Sequence, residues 1–230
     1  MTGESGSELP PKETLVLKRP LSVWVYRHGE SDYEGDNLTE RGREQAREAG
    51  ISIFGMIPDG EVVKFLHSPK SRAQETAEIM LETFRRKTQE SNSSTKIMPL
   101  SRKRQELTAA NFTPEYLEMA HEEGASIDDL LPYWYENNDP KKQVEMPEEV
   151  KKRLSDFLLK LGKVASRLPD GPKLNYILIS HSEVPGPFLR EAFRKKGLPP
   201  CGWVRFDFES GKGEKVKMQT FDKKESDLSL

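Results

Sequence analysis

Short β-branched and aromatic runs alternate with longer stretches of helical period, which predicts an α/β fold. The expected form is a three-layer α/β/α sandwich around a mostly parallel, mixed sheet of about six strands. Three features carry this expectation. The run Leu-Asn-Tyr-Ile-Leu-Ile at 174–179 is nearly continuously apolar, as a strand covered on both faces must be. Ser68-Pro69 and Thr113-Pro114 each put a capping side chain and a proline where a helix begins, since a first-turn proline sacrifices no helical hydrogen bond. After Pro147, the residues Val150, Leu154, Phe157, Leu158, Leu161 and Val164 recur at the spacing that lines one side of a helix.

In chain order, strands are expected at 21–26, 61–67, 96–99, 174–180, 202–209 and 215–221. The last two flank Ser210-Gly211-Lys212-Gly213, a hairpin turn by composition, so the last strand runs antiparallel. Asn37 and Glu40 have capping-box spacing before a helix at 41–53. Ser68 and Pro69 introduce a helix at 70–84, and Thr113 and Pro114 introduce one at 115–123. Residues 86–96, with their Gln-Glu-Ser-Asn-Ser-Ser-Thr core, read as a flexible connection.

The segment 107–146 breaks the alternation. It holds Phe112, Tyr116, Tyr133, Trp134 and Tyr135 among acids, asparagines and prolines, and reads as a helical insertion over one edge of the sheet. Ligands of open α/β sheets sit outside the carboxyl ends of the strands, where such an insertion forms a wall over the active site. Residues 1–14 and 222–230 are too polar to offset their ordering entropy, so both are expected to be flexible tails around one domain spanning 15–221.

Composition narrows the function. Lys and Arg number 36 against 38 Asp and Glu, a net charge of −2, which argues against a general nucleic-acid binder. One cysteine, Cys201, excludes a disulfide scaffold or a multi-thiolate zinc site, and four histidines leave little for a metal cluster. No run of about 18 apolar residues occurs, and the Gly/Ser/Glu/Pro-rich start has no apolar core of a secretory signal. The expectation is a cytoplasmic protein with no metal and no cofactor. Neither nucleic acid nor membrane is expected as a partner, and a homodimer is compatible with the sheet edge.

The chemistry begins where the first strand runs into Arg27-His28-Gly29-Glu30-Ser31. An arginine offers a fork of donors to phosphate oxygens, a glycine lets backbone approach closely, and a neutral histidine is a competent nucleophile or base. Three further segments follow. They are Leu38-Thr39-Glu40-Arg41-Gly42-Arg43-Glu44-Gln45-Ala46, then His67-Ser68-Pro69-Lys70-Ser71-Arg72-Ala73-Gln74-Glu75-Thr76-Ala77, then Ile179-Ser180-His181-Ser182. In this order, over about residues 21–209, they make the chain resemble the histidine phosphatase superfamily, the phosphoglycerate mutase-like family.

The resemblance implies a phosphoglycerate mutase-like fold and a metal-independent phosphatase working through a phosphohistidine at His28. Arg27, Arg72 and His181 would surround the transferred group, whose charge spreads over three equatorial oxygens that fixed cations stabilise. Ser31 and the Ser182 amide would join the phosphate-binding set. Glu106 is the positional match for the family's proton donor, with Glu115, Glu118 and Glu183 as rivals because the glycine-rich continuation after that glutamate is missing. Asp32-Tyr33-Glu34-Gly35 stands where true mutases carry a Trp-Asn pair, which shifts weight to phosphatase. The class the resemblance implies is thus a histidine acid phosphatase-like phosphoric monoester hydrolase, whose partner would be a small phosphorylated substrate. Phosphoglycerate mutase-type transfer, phosphohistidine phosphatase action on proteins and non-catalytic binding of a phosphorylated ligand are the alternatives. By default His67 is a packing residue, His121 a solvated helix residue, Arg102-Lys103-Arg104 a solvated charge run and Cys201 a small buried hydrophobe.

Overall fold

The computed structural model describes residues 17–32, 36–100, 103–124, 130–136, 144–208 and 215–230. The expected N-terminal tail and the turn at 210–213 lie outside these residues. The strands are β1 (Leu21–Arg27), β2 (Val62–His67), β3 (Lys96–Ile97), β4 (Leu174–Ser180), β5 (Trp203–Phe208), β6 (Lys215–Thr220) and β7 (Glu225–Ser229). They form one sheet in the order β3-β2-β4-β1-β5-β6-β7. β1, β2, β3 and β4 pair in parallel, whereas β5, β6 and β7 are antiparallel additions beside β1.

Helices α1 (Glu40–Met56) and α2 (Ser71–Glu90) cover one face of the sheet, and α5 (Pro147–Ser166) and α6 (Gly186–Phe193) cover the other. Strand alternation supplies both cores. Trp24 and Tyr26 of β1 join Ile177 and Ile179 of β4 beneath Ala46, Ile53, Ala77 and Met80. Val23, Val25 and Leu178 face Leu154, Phe157, Leu158 and Phe188 instead. Every residue of β4 is buried, which explains the continuous apolar run. The three-layer sandwich is therefore the observed fold.

Helices α3 (Pro114–Glu122) and α4 (Leu130–Glu136) make up the described part of the insertion. Thr113 caps α3 by accepting a hydrogen bond from the Tyr116 amide at 3.2 Å, as its sequence predicts. Trp134 is fully buried in a third core with Tyr116, Tyr133 and Val150. Its indole nitrogen donates to the Glu145 carbonyl at 3.0 Å.

Four expectations are corrected. The N-cap of α1 is Thr39 rather than Asn37: its hydroxyl accepts from the Gly42 amide at 3.0 Å and donates to the Glu30 carboxylate at 2.9 Å. Ser68 is not the N-cap of α2: that position is Lys70, whose amide donates to the Ser68 hydroxyl at 3.4 Å while His181 shares the same oxygen, and the Ser71 amide donates to the distant Asp36 carboxylate at 3.0 Å. The expected connection at 86–96 is helical as far as Glu90, where Lys87 and Arg86 pair with that carboxylate one turn away. The C-terminal residues, expected as a tail, add a seventh strand. β7 is polar, but Lys217 meets Glu225 at 2.6 Å across the β6–β7 pair, and Leu228 packs on the core.

Two glycines explain why the first two motifs need one another. A Cβ on Gly42 would stand 1.9 Å from the Glu30 carbonyl oxygen, and one on Gly29 would stand 2.5 Å from that of Gly42. The loop after β1 and the first turn of α1 are thus in backbone contact. Gly42→Ala is expected to lower stability by about 1–3 kcal/mol, the usual scale of overpacking. Gly55→Ala, in the same helix with nothing within 4 Å of its Cβ position, is expected to raise it by about 0.5–1 kcal/mol. Urea denaturation of both variants checks the contrast, and equal effects would deny the contact.

Candidate active site

The register of the sheet brings the motif histidines together. Arg27 of β1 lies opposite Ser180 of β4, so His28 and His181 leave adjacent parallel strands at the same level. Their rings are 5.1 Å apart between centroids and inclined by 66°. His67 pairs with Ile179 on the other side of β4, which carries Ser68 to the same edge.

Arg72, in the first turn of α2, bridges the two imidazoles. Its Nε donates to Nε2 of His28 at 3.0 Å, and a terminal nitrogen donates to Nδ1 of His181 at 3.4 Å. A guanidinium can only donate, so both ring atoms accept through a lone pair. The remaining ring nitrogens carry the protons. Nδ1 of His28 donates to the Gly29 carbonyl at 2.7 Å, and Nε2 of His181 donates to the Ser68 hydroxyl at 2.8 Å. Nε2 of His28 therefore presents its lone pair toward Arg72.

Electrostatics agree with this tautomer. Burial pushes the His28 pKa down to about 3, with Arg72 and Arg27 acting in the same direction against the Gly29 carbonyl and Asp36. Burial lowers His181 as well, reinforced by His28, Arg72, Lys70 and Arg27. Both rings are neutral in the folded protein.

Several residues hold this arrangement without having been expected. Asp36, in left-handed backbone at φ 54°, pairs with Arg72 while it caps the Ser71 amide. Thr76 accepts from the Gly29 amide at 3.1 Å and donates to the Arg72 carbonyl at 2.7 Å, tying the loop after β1 to α2. Glu75 binds the Leu38 amide at 3.0 Å and Arg43 at 2.7 Å. Thr76 and Glu75 fall inside the motif that contains Arg72, which is their only signal in the sequence; Asp36 has none.

The other expected residues divide. Arg27 lies close enough to act on His28, His181 and Glu183, and it donates to the Leu198 carbonyl at 2.9 Å. The Ser182 hydroxyl is committed to Leu198, accepting from its amide at 2.9 Å and donating to its carbonyl at 3.2 Å. Ser31 pairs with Leu38 at the neck of the loop before α1, and none of the bonds joining Arg72 to the histidines involves it.

Glu106 is not brought in. Its carboxylate turns to Lys160 of α5 at 3.3 Å, while neighbouring Gln105 faces the cavity. Glu115 and Glu118 are exposed on α3. Glu183 does line the cavity with Arg72 and Lys70, and burial raises its pKa although Arg27 and Arg72 oppose this. That cavity, of about 640 Å³, runs from Arg72 along the insertion to Phe112, Leu117 and Leu130.

The default expectations hold for the two remaining histidines. His67 is buried, with Nδ1 on the Ser68 carbonyl at 2.8 Å, and His121 is exposed. Cys201 is half-buried, and burial pushes its thiol up to about 12. Among the described residues no group of three or more His, Cys, Asp or Glu could hold a metal ion, and no helix is long and apolar enough to cross a membrane.

The site is thus an arginine-held pair of neutral histidines at the carboxyl edge of a parallel sheet. The family model of the histidine phosphatase superfamily (branch 1) matches residues 23–220, and the chain belongs to that superfamily, which includes phosphatases and mutases. No curated protein matches it. The fold is shared with phosphoglycerate mutase from Bacillus anthracis, 20% identical over 95% of both chains, with a TM-score of 0.58. It is shared with mycobacterial glucosyl-3-phosphoglycerate phosphatase, 16% identical over 86% of this chain and 96% of that one, TM-score 0.55. A third neighbour is an Entamoeba histolytica phosphoserine phosphatase mutant in complex with phosphoserine, 15% identical over 87% and 95%, TM-score 0.52.

Neutral histidines leave a mark on stability. An unfolded histidine protonates near pH 6.5, whereas His28 resists protonation to about pH 3. Between those values the unfolded chain binds the extra proton, so stability without phosphate falls as pH falls through this window. His181 adds to the slope in the same sense. His28→Asn is expected to remove its share in urea melts from pH 7 to 4, and an unchanged slope would mean that the folded imidazole is charged.

Proposed function

We propose that this protein is a metal-independent phosphatase that hydrolyses a phosphomonoester through a phosphohistidine at His28. One observation carries the proposal: the Nε2 lone pair of a neutral, buried imidazole faces the guanidinium of Arg72 beside a second neutral histidine. The substrate's phosphoryl group takes the place between them. Its equatorial oxygens meet donors from Arg27 and Arg72 and, once the His181 ring reorients or takes up a proton, from that ring as well. The Ser182 amide completes the phosphate-binding set. Such charge stabilisation is the main contribution a protein makes to phosphoryl transfer.

In the first step Nε2 of His28 attacks phosphorus, and the bond from phosphorus to the ester oxygen breaks. The leaving oxygen needs a proton. We assign that proton to Glu183 rather than Glu106. Glu183 lines the cavity beside Arg72, and its burial favours the protonated form. In the second step water attacks the phosphohistidine, Glu183 takes a proton from it, and inorganic phosphate leaves with His28 restored. Hydrolysis is favoured over mutase chemistry by the absence of the mutases' Trp-Asn pair after the first motif.

Rapid acid-free quenching with a reactive phosphoryl donor, followed by 31P spectroscopy, is expected to show an acid-labile N–P bond that His28→Ala abolishes. Its absence in the native protein would overturn covalent catalysis. Glu183→Gln is expected to slow alkyl phosphates by about 10²–10⁴-fold while sparing nitrophenyl phosphate, whose leaving group needs no proton. Glu106→Gln is expected to leave that ratio unchanged; the reverse pattern would return the acid role to Glu106.

A further inference from the structure

The cavity has two chemically different ends. Its phosphate end holds Arg72, Lys70 and Glu183, and its far wall, supplied by the insertion, presents Ala109, Ala110, Phe112, Leu117 and Leu130. Leu117 is 43% exposed and lines this wall. It belongs to none of the buried cores, so it is available to cover a ligand.

A second anionic group on the substrate would need a free cation at that far end. The wall's arginine, Arg153, is already committed. Its Nε and one terminal nitrogen bind both oxygens of Glu145 at 2.9 Å, and the other terminal nitrogen donates to the carbonyls of Glu106 at 3.1 Å and Thr108 at 2.8 Å. Lys70 sits near enough to His181 to depress its pKa, which places its charge at the phosphate end. Lys103 and Arg104 are exposed and do not line the cavity. Among the described residues, therefore, charge beyond the phosphate end is neutralised within the wall and the remaining surface is largely apolar.

Resting on the phosphatase reading above, we infer that the leaving group is an uncharged alcohol with an apolar body, an alkyl chain or aryl ring seated against Phe112, Leu117 and Leu130. A volume of about 640 Å³ falls within the range of pockets that enclose a small ligand. Substrates whose alcohol carries a carboxylate, such as phosphoserine or phosphoglycerate, would bring an anion toward Glu145 with no free cation to meet it among the described residues.

The test separates this subsite from the chemistry by using non-hydrolysable n-alkylphosphonates from methyl to hexyl, with calorimetric binding as the readout. A buried methylene is worth about 0.8 kcal/mol, so affinity is expected to rise by up to about fourfold per carbon until the wall is covered. Leu117→Asn, at an exposed position where folding is not at stake, is expected to flatten the rise while leaving methylphosphonate binding unchanged. An affinity that does not grow with chain length, or tighter binding of phosphoserine than of hexylphosphonate, would overturn the inference. A rising series in a protein that never forms phosphohistidine would retain the apolar subsite and refute the phosphatase reading instead.

Discussion

The parallel pairing of β1 with β4 is the constraint on which the site depends. Because Arg27 stands opposite Ser180, the residue that follows each strand is a histidine at the same height. Both strands are covered by helices on both faces, with alternate side chains of β1 assigned to different cores. A slip of one residue would send Trp24 and Tyr26 into the layer shaped for Val23 and Val25. The 5.1 Å separation of the imidazoles is thus maintained by core packing some distance from the chemistry. Arg72 is then delivered by α2, whose start is held by Asp36 and, through Thr76, by the loop that carries His28.

Burial does two jobs at this edge of the sheet. It prevents His28 and His181 from becoming cationic, and it holds the Glu183 carboxyl toward its protonated form. The proposed reaction needs a nucleophile with a free lone pair and an acid with its proton, and desolvation favours both through the same penalty on charge. The insertion walls the cavity that Arg72 and Glu183 also line. Its aromatic core around Trp134 gives α3 and α4 a structure of their own, so they can form a wall instead of a mobile flap of polar loop.

The discrepancies with the sequence expectations share a cause. Asn37 and Ser68 have the right side chains and spacing for helix caps, but capping competes with other partners in space. Thr39 is better placed over α1, and the Ser68 hydroxyl is claimed by a histidine 113 residues away. Glu106 occupies the expected place in the chain, yet a lysine on α5 attracts its side chain. The residues of β7 look like a tail because an edge strand exposed to water needs no alternating apolar pattern; its order comes from a neighbour with complementary charge.

Local pattern determined the layered α/β architecture and most element positions, and the resemblance carried by the motifs pointed to Arg27, His28, Arg72 and His181. Periodicity and motif chemistry are properties of contiguous stretches, so they survive without coordinates. Tertiary structure alone decided which glutamate faces the cavity, that Asp36 and Ser68 serve the site, and that the C-terminal residues close the sheet. Each of those outcomes depends on a partner atom remote in sequence, whose position is set only when two separate cores have packed against the same strands.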